Sequence, residues 1–378
     1  MSQPTQAPPA PSNRLVSLDA FRGLTIAGMI LVNNPGDGGH VYPPLRHAEW
    51  HGWTPTDLVF PSFLFIVGVA IPLALGKRIE RGDRPWSLLA KVFWRSAAIF
   101  AIGLAMNAFP FDKPVATLRI PGVLQRIALC YLAASLVFLK TSLRTQVAAT
   151  VGLLLGYWAL MTLVPVPGVG AGDLSRPNNL AAWLDRRLMP GHLYKSDYDP
   201  EGFLSTLPAI ATTLIGVLAG RWLLSSRPIG ERVAGLFAAG AVALFVGTVW
   251  DHYFPINKAL WTSSFVAWSA GLSLQILGLC AWLIEVEGLR RWARPFVIFG
   301  SNAIAAYVLS GLLARVLTMV KVGGPSGKLI TLKSWIYSHG FAVLPDPTLA
   351  SCLYSTAYVL FWLAVMTVFY RLKIFIRV

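Results

Sequence analysis

From near its start to near its end, the chain repeats apolar runs about twenty residues long, broken by polar connections. A run of that length, wound as an α-helix, matches the thickness of bilayer hydrocarbon. Backbone polar groups find no water there, so a spanning segment must satisfy them internally. The runs fall near 16–34, 57–76, 89–108, 121–139, 146–165, 203–224, 232–250, 259–284, 296–318 and 348–371. They predict an all-α, polytopic integral membrane protein with about ten transmembrane helices. The content of 55% hydrophobic and 13% charged residues agrees, since soluble domains run nearer a quarter charged. The first run is the least apolar, because Asp19 and Arg22 lie inside it. Ionisable side chains at such depth face a cavity or a partner and are candidates for function.

The net charge is +15. In a soluble protein that excess would suit nucleic acid. Here it fits the rule that Lys and Arg collect in cytoplasmic loops, and no nucleic-acid partner is expected. Lys77, Arg78, Arg81, Arg84, Lys91 and Arg95 crowd the second connection, and Lys140 with Arg144, Arg227 with Arg232, Arg290 with Arg294, and Arg371 with Lys373 fall on the same side. Both termini are therefore expected in the cytoplasm. The opposite loops hold Asp37 and Glu49, then Asp173, Asp185, Asp197, Asp199 and Glu201, with a minority of basic residues such as Arg186 and Arg187. Segments 166–202 and 319–347 are too long for simple turns and are read as lids or binding elements. Residues 1–13, rich in Pro, Ser and Gln, read as a disordered tail, and 14–378 as a single transmembrane domain. Cys130, Cys280 and Cys352 lie in apolar runs without paired spacing and are expected to behave as small buried hydrophobes.

The connection from Val32 to Leu58 packs Asn, His, Glu, Trp and Asp between the first two runs. An imidazole titrates near neutrality, so His47 suits a general base that takes a proton from an attacking amine or hydroxyl. It equally suits a nucleophile that carries an acyl group in transit. Asp57 is placed to orient that imidazole by accepting its other N–H, and Asn33 to donate to a developing oxyanion. Helix-end capping by Asn33 and Asp57 is the plainer alternative. His47 and His51 with Glu49 between them approach a zinc spacing, but Pro43-Pro44 and Gly52 argue against the helix that spacing needs, so no metal is expected. No Gly-x-Ser-x-Gly elbow or phosphate-binding Gly-rich loop is present, which excludes the common serine hydrolases and ATP-driven machines. Further polar groups interrupt the apolar runs: Arg119, Gln125 and Arg126 at the fourth; Asp199 and Glu201 at the sixth; Asn257-Lys258 before the eighth; and Ser301-Asn302 in the ninth. Carboxylates at the start of the sixth also suit a helix N-terminus by its dipole alone. A polar path through a bilayer fits an enzyme or a transporter for a polar substrate.

The segments Ser17-Leu-Asp19-Ala-Phe-Arg22-Gly23, Val32-Asn33, His47-Ala-Glu-Trp50-His-Gly52-Trp-Thr54-Pro-Thr-Asp57, Arg119-Ile-Pro-Gly-Val-Leu-Gln-Arg126, Tyr198-Asp-Pro-Glu201-Gly202, Asn257-Lys258-Ala-Leu-Trp261 and Gly300-Ser-Asn302 occur in that order. Together they resemble the heparan-alpha-glucosaminide N-acetyltransferase family from about residue 14 to the C-terminus. The resemblance implies a multi-pass enzyme of a bacterial inner membrane, without the N-terminal luminal domain and leading helix of the lysosomal enzyme. It implies acetyl transfer from cytoplasmic acetyl-CoA to the amine of an extracytoplasmic glucosamine-type sugar. By motif, His47 and Asn33 match catalytic positions, with Asp57 as their helper. Arg22, Arg119, Gln125, Arg126, Lys258, Ser301 and Asn302 are the matching candidates for acetyl-CoA. Asp19, Glu49, Trp50, Asp199 and Glu201 are those for the sugar. An amino-sugar transporter of the same fold and an O-acetyltransferase of a cell-wall sugar remain the alternatives, and a homodimer stays open.

Overall fold

The computed structural model describes residues 15–112, 114–324 and 328–376, so the expected tail 1–13 lies outside the described residues. Helices dominate it: α1 (Val16–Asn33), α2 (Val59–Glu80), α3 (Pro85–Ala108), α4 (Val123–Lys140), α5 (Leu143–Leu163), α6 (Leu180–Leu188), α7 (Thr206–Leu223), α8 (Ile229–Asp251), α9 (Ser263–Ala281), α10 (Arg294–Ser301), α11 (Ala303–Met319), α12 (Leu332–Gly340) and α13 (Pro347–Arg371). A short antiparallel hairpin, β1 (Lys321–Gly323) and β2 (Leu329–Thr331), precedes α12. The sequence marks several of the starts. Asp346 accepts from the amides of Thr348 and Leu349 ahead of Pro347, while Ser142, Asn179 and Thr331 cap α5, α6 and α12 in the same way. Each satisfies amides that the helix leaves without a partner.

Nine helical segments among the described residues are long and apolar enough to cross a membrane, and the chain is a multi-pass membrane protein. The ninth predicted run, 296–318, is not one helix. It breaks into α10 and α11, which meet at 82°. Asn302 sits at the break with its side chain fully used: its Nδ2 donates to the Ile374 carbonyl and its Oδ1 accepts from the Ile376 amide. Ser301 and Asn302 are a short polar interruption in an otherwise apolar run, so its length predicts a single span where a buried Asn pins the chain end instead. Counted as one crossing, the bent pair brings the total to ten. Consistent with that even number, Asp19 near the chain's start and Ile376 near its end line one cavity at the same end of the bundle.

Burial sorts the helices. About two thirds of α2 and α9 is buried, against roughly a quarter of α3, α5, α8 and α13, so the first pair is central and the others face outward. In lipid, close helix contact depends on small residues rather than on apolar burial. α2 and α7 meet on glycines: a Cβ on Gly68 would lie 2.0 Å from the Thr213 carbonyl oxygen, and one on Gly216 would lie 2.1 Å from that of Phe65. Gly216 and Gly220 are four apart, so one face of α7 is bare along this contact. Across the α2–α9 contact the hydroxyls of Ser62 and Ser273 hydrogen-bond at 3.0 Å.

The two long segments hold structure of their own. Segment 166–202 carries α6 and packs Val166, Leu180 and Ala181 against Tyr157, Leu204, Phe254 and Leu260. Segment 319–347 carries the hairpin and α12.

Candidate active site

The connection between α1 and α2 is shaped by Asp57, whose side chain is 1% exposed. Oδ2 accepts from the amides of Ala48 and Thr54 and from the Thr54 hydroxyl, at 3.0, 3.0 and 3.1 Å. Oδ1 lies 2.6 Å from His47 Nδ1. An ionised carboxylate only accepts, so Nδ1 carries the proton, and in the neutral ring Nε2 keeps its lone pair. The imidazole is half exposed and faces a cavity of about 460 Å³. Asp57 thus contacts His47, and the same carboxylate also braces the turn Pro55–Leu58 that leads into α2, the capping that is its plainer reading.

Lys258 stands against this pair, with Nζ 3.0 Å from His47 Nδ1, 3.5 Å from Nε2 and 3.4 Å from Asp57 Oδ1. Its loop is tightly wound. Asn257, fully buried, accepts the Leu260 amide on Oδ1, and Trp261 is left at φ 54°. That left-handed conformation is costly for a bulky residue and persists only where its surroundings enforce it. The Trp261 ring does so, buried between Phe60 and Phe265 with its N–H donated to Thr212. Burial lowers the Lys258 pKa from its ordinary value, against the upward pull of Asp57 and Glu201.

Asn33, at the end of α1, lines the same cavity, as do Glu49, Trp50, Arg119 and Glu201. Trp50 donates its indole N–H to the Leu174 carbonyl and meets Tyr198 edge-on at 5.7 Å. Tyr194, Lys195, Tyr198 and Tyr307 also line it. Sequence reasoning did not single these four out, although Tyr198 begins one of the ordered motifs.

Arg119 is committed to carboxylates. Its Nε and Nη2 grip Asp199 at 2.9 and 2.7 Å, and Nη2 also reaches Glu201 at 2.5 Å. Asp199 further accepts the amides of Tyr194 and Glu201, so it holds its loop together while neutralising Arg119. Arg126 is buried deeper, over the Trp261 ring at 5.1 Å, and ties the Gly202 carbonyl and the Ser205 hydroxyl at the start of α7. Gln125 is buried beneath Gly103 and Gly122. His51 turns away from the cavity to Asn257, 3.4 Å from its Nδ2. Among the described residues, no group of three His, Cys, Asp or Glu side chains is placed to hold a metal ion.

Asp19, Arg22 and Ser301 lie elsewhere. They line a second cavity of about 440 Å³ together with Arg95, Tyr131, Phe375 and Ile376. Asp19 and Asn33 are fourteen residues apart on α1, about 20 Å at the helical rise, so the two cavities open towards opposite ends of that helix. Arg22 Nη1 reaches Asp19 at 3.1 Å and the Gly300 carbonyl at 3.4 Å. A small apolar void separates the cavities. Phe63, Ile127 and Ile304 are shared by the void and the second cavity; Met29, Val123 and Tyr307 are shared by the void and the first.

The fold and site thus define a multi-pass helical membrane protein in which a carboxylate-oriented histidine looks into a polar cavity. Residues 14–248 match the family model described as "Heparan-alpha-glucosaminide N-acetyltransferase, catalytic", and the chain belongs to that family. It is 33% identical over 355 residues to human heparan-alpha-glucosaminide N-acetyltransferase, a match covering 78% of this chain and 52% of that protein. The mouse protein of the same name is 32% identical over 357 residues, covering 79% and 53%. The chain spans about half the length of these relatives.

Proposed function

We propose that this protein is a transmembrane acetyltransferase, carrying an acetyl group from cytoplasmic acetyl-CoA to the amine of a glucosamine-type sugar on the other side of a bacterial inner membrane. The observation that carries this reading is the pairing of cavities. One is polar and holds the His47–Asp57 pair; the other, at the far end of α1, presents Arg22 and Arg95. The crowding of Lys and Arg between α2 and α3 argues that the second cavity faces the cytoplasm, where guanidinium groups suit the phosphates of CoA. Trp50, Tyr194 and Tyr198 offer flat apolar faces beside the carboxylates of Glu49 and Glu201 in the first cavity, a lining that suits a sugar bearing an ammonium.

In the reaction the acceptor amine gives a proton to His47 Nε2 as its nitrogen attacks the thioester carbon. The new C–N bond forms, the C–S bond breaks, and the CoA thiolate leaves and takes the proton from the His47 imidazolium, which returns the ring to its neutral form. Asp57 stabilises the imidazolium that forms in between, and Asn33 is within the same cavity to donate to the oxyanion. In the two-step variant, Nε2 itself attacks and carries the acetyl group until the amine arrives.

The test is acetyl transfer from labelled acetyl-CoA to glucosamine by the purified protein, with analysis for amide product. Transfer that is lost in both His47→Ala and Asn33→Ala supports the roles given. Transfer retained in both overturns them. Sugar uptake into vesicles without CoA release would instead make the protein a transporter, and an ester product would make it an O-acetyltransferase.

A further inference from the structure

Among the described residues, Lys258 is the one cation in contact with the His47–Asp57 pair, and phosphate binding gives no account of its position. We propose that Lys258 is a positioning residue that fixes the protonation state of His47: its ammonium holds Asp57 as a carboxylate and disfavours imidazolium, so that the resting imidazole is neutral with Nε2 open to the cavity. This deepens the acetyl-transfer reading and rests on it for its kinetic consequence alone.

Three features carry the inference. The first is distance. Nζ lies 3.0 Å from His47 Nδ1, yet Nδ1–H is already aimed at Asp57 Oδ1, so the two nitrogens are both donors and share one acceptor. A positive charge that close opposes a second positive charge on the ring. The second is construction. Lys258 is fixed in its turn by the buried Asn257 and by Trp261 in a left-handed conformation, and a side chain needed only for a mobile phosphate would not require that anchorage. The third is isolation. Arg119 is spent on Asp199 and Glu201, so its charge does not substitute for that of Lys258. Glu201, Glu49 and Lys195 are the remaining charged groups of the cavity, and Tyr194, Tyr198 and Tyr307 are its phenols. None of these six makes a hydrogen bond or ion pair with His47 among the described residues.

Burial works in the same direction. Lys258 is already lowered by desolvation, so it would not tolerate a charged imidazole beside it without the carboxylate between them. Removing the ammonium lifts that opposition and leaves Asp57 free to stabilise imidazolium. Between unit charges about 3–4 Å apart in a partly solvated site, an interaction of this kind is worth about one pH unit or more.

The direct test needs neither donor nor acceptor. The protein is labelled with ¹³C at histidine Cε1, the His47 signal is assigned by its absence in His47→Gln, and its titration is followed by NMR in detergent. Lys258→Met is expected to raise the His47 midpoint by about one pH unit or more, and Lys258→Arg to leave it near the wild-type value. An unchanged midpoint in the Met variant overturns the proposal. Should Lys258→Met not accumulate, Lys258→Gln gives the same reading. In the kinetic arm, the acidic limb of kcat/KM for acetyl transfer moves up with the NMR midpoint. A limb that stays in place while KM for acetyl-CoA rises would make Lys258 a donor-binding cation and overturn the proposal. A shifted midpoint in a protein without transfer activity would uphold the role of Lys258 and remove the acetyl-transfer reading instead.

Discussion

His47 Nδ1 and Asp57 Oδ1 are 2.6 Å apart, with the carboxylate 1% exposed and the imidazole half open to a cavity. The pair places the fixed, desolvated partner inside and the reactive nitrogen outside, the order that general-base or nucleophilic use of a histidine requires. Asp57 is held by three further donors from residues 48 and 54, so its geometry does not depend on the histidine.

Asp57→Asn keeps an oxygen for those donors but removes the charge that orients and stabilises the ring. Acetyl transfer should fall by about 10²–10⁴-fold, the range that a positioned acid–base group contributes, with a smaller loss of thermal stability in detergent than in Asp57→Ala. Asp57→Ala should lose both, because the amides of Ala48 and Thr54 are then left without their acceptor. Steady-state rates and melting curves of the two variants check the separation.

How much of this was legible in the chain differs by level. Apolar length identifies the spans, because one run per crossing is a physical necessity in lipid, and the 32–58 connection declares itself by packing polar groups between two such runs. The break at Asn302 is marked only by the polar pair Ser301-Asn302, since Ile298, Phe299, Ala303 and Ala305 on either side are apolar and buried. The local sequence gives no sign of Asn302's partners, which are backbone groups more than seventy residues on. Arg119 is a similar case. Motif resemblance offers it as a phosphate ligand, whereas its carboxylate partners are 80 and 82 residues away in the chain.

That pairing makes a prediction that separates structure from donor binding. Arg119→Ala leaves the fully buried Asp199 without its bidentate partner, at a cost of about 3 kcal/mol or more, read as a lowered melting temperature. Arg119→Lys should recover part of the stability. KM for acetyl-CoA in the Lys variant should stay within about twofold of wild type, because the Arg119 guanidinium is engaged by Asp199 and Glu201 rather than by the donor. A large rise in that KM would return Arg119 to the donor.

Gly68 sits where α2 and α7 touch, and a Cβ there would meet the Thr213 carbonyl oxygen at 2.0 Å. Gly68→Ala should therefore destabilise by about 1–3 kcal/mol, the usual cost of overpacking, or prevent accumulation of folded protein. Gly76, further along α2, has nothing within 4 Å of the same added atom. Gly76→Ala is the control and should melt as wild type does.

Asp185, on α6 outside the spans, is raised by burial to about 6 from its ordinary 3.8, despite accepting the Phe203 amide. Its folded-state pKa exceeds the unfolded one, so the folded state holds the proton more tightly. Its contribution is fully favourable below about 3.8 and is lost as pH rises through about 6. The loss amounts to about 3 kcal/mol at 1.36 kcal/mol per pH unit. Asp185→Asn should accordingly raise the melting temperature at pH 7.5 and do so by only about a third as much at pH 4.5, measured by thermal unfolding in detergent at both values.

The septum between the cavities gives the last prediction. Ile304 borders both the second cavity and the apolar void, and Tyr307, one turn further along α11, borders the void and the His47 cavity. If the thioester end of the donor passes between these residues to reach His47, the passage is walled by α1, α2, α4 and α11 and narrows at Ile304. Ile304→Trp adds bulk at that point without touching the charged groups at either end. Acetyl transfer should fall at least tenfold, while CoA binding measured by calorimetry stays within about threefold, because the added ring blocks the reach of the thioester and not the seating of the phosphates. Ile304→Ala should leave transfer in place. Unimpaired transfer in the Trp variant would mean that donor and acceptor meet by another route, with the His47 cavity filled from its own side.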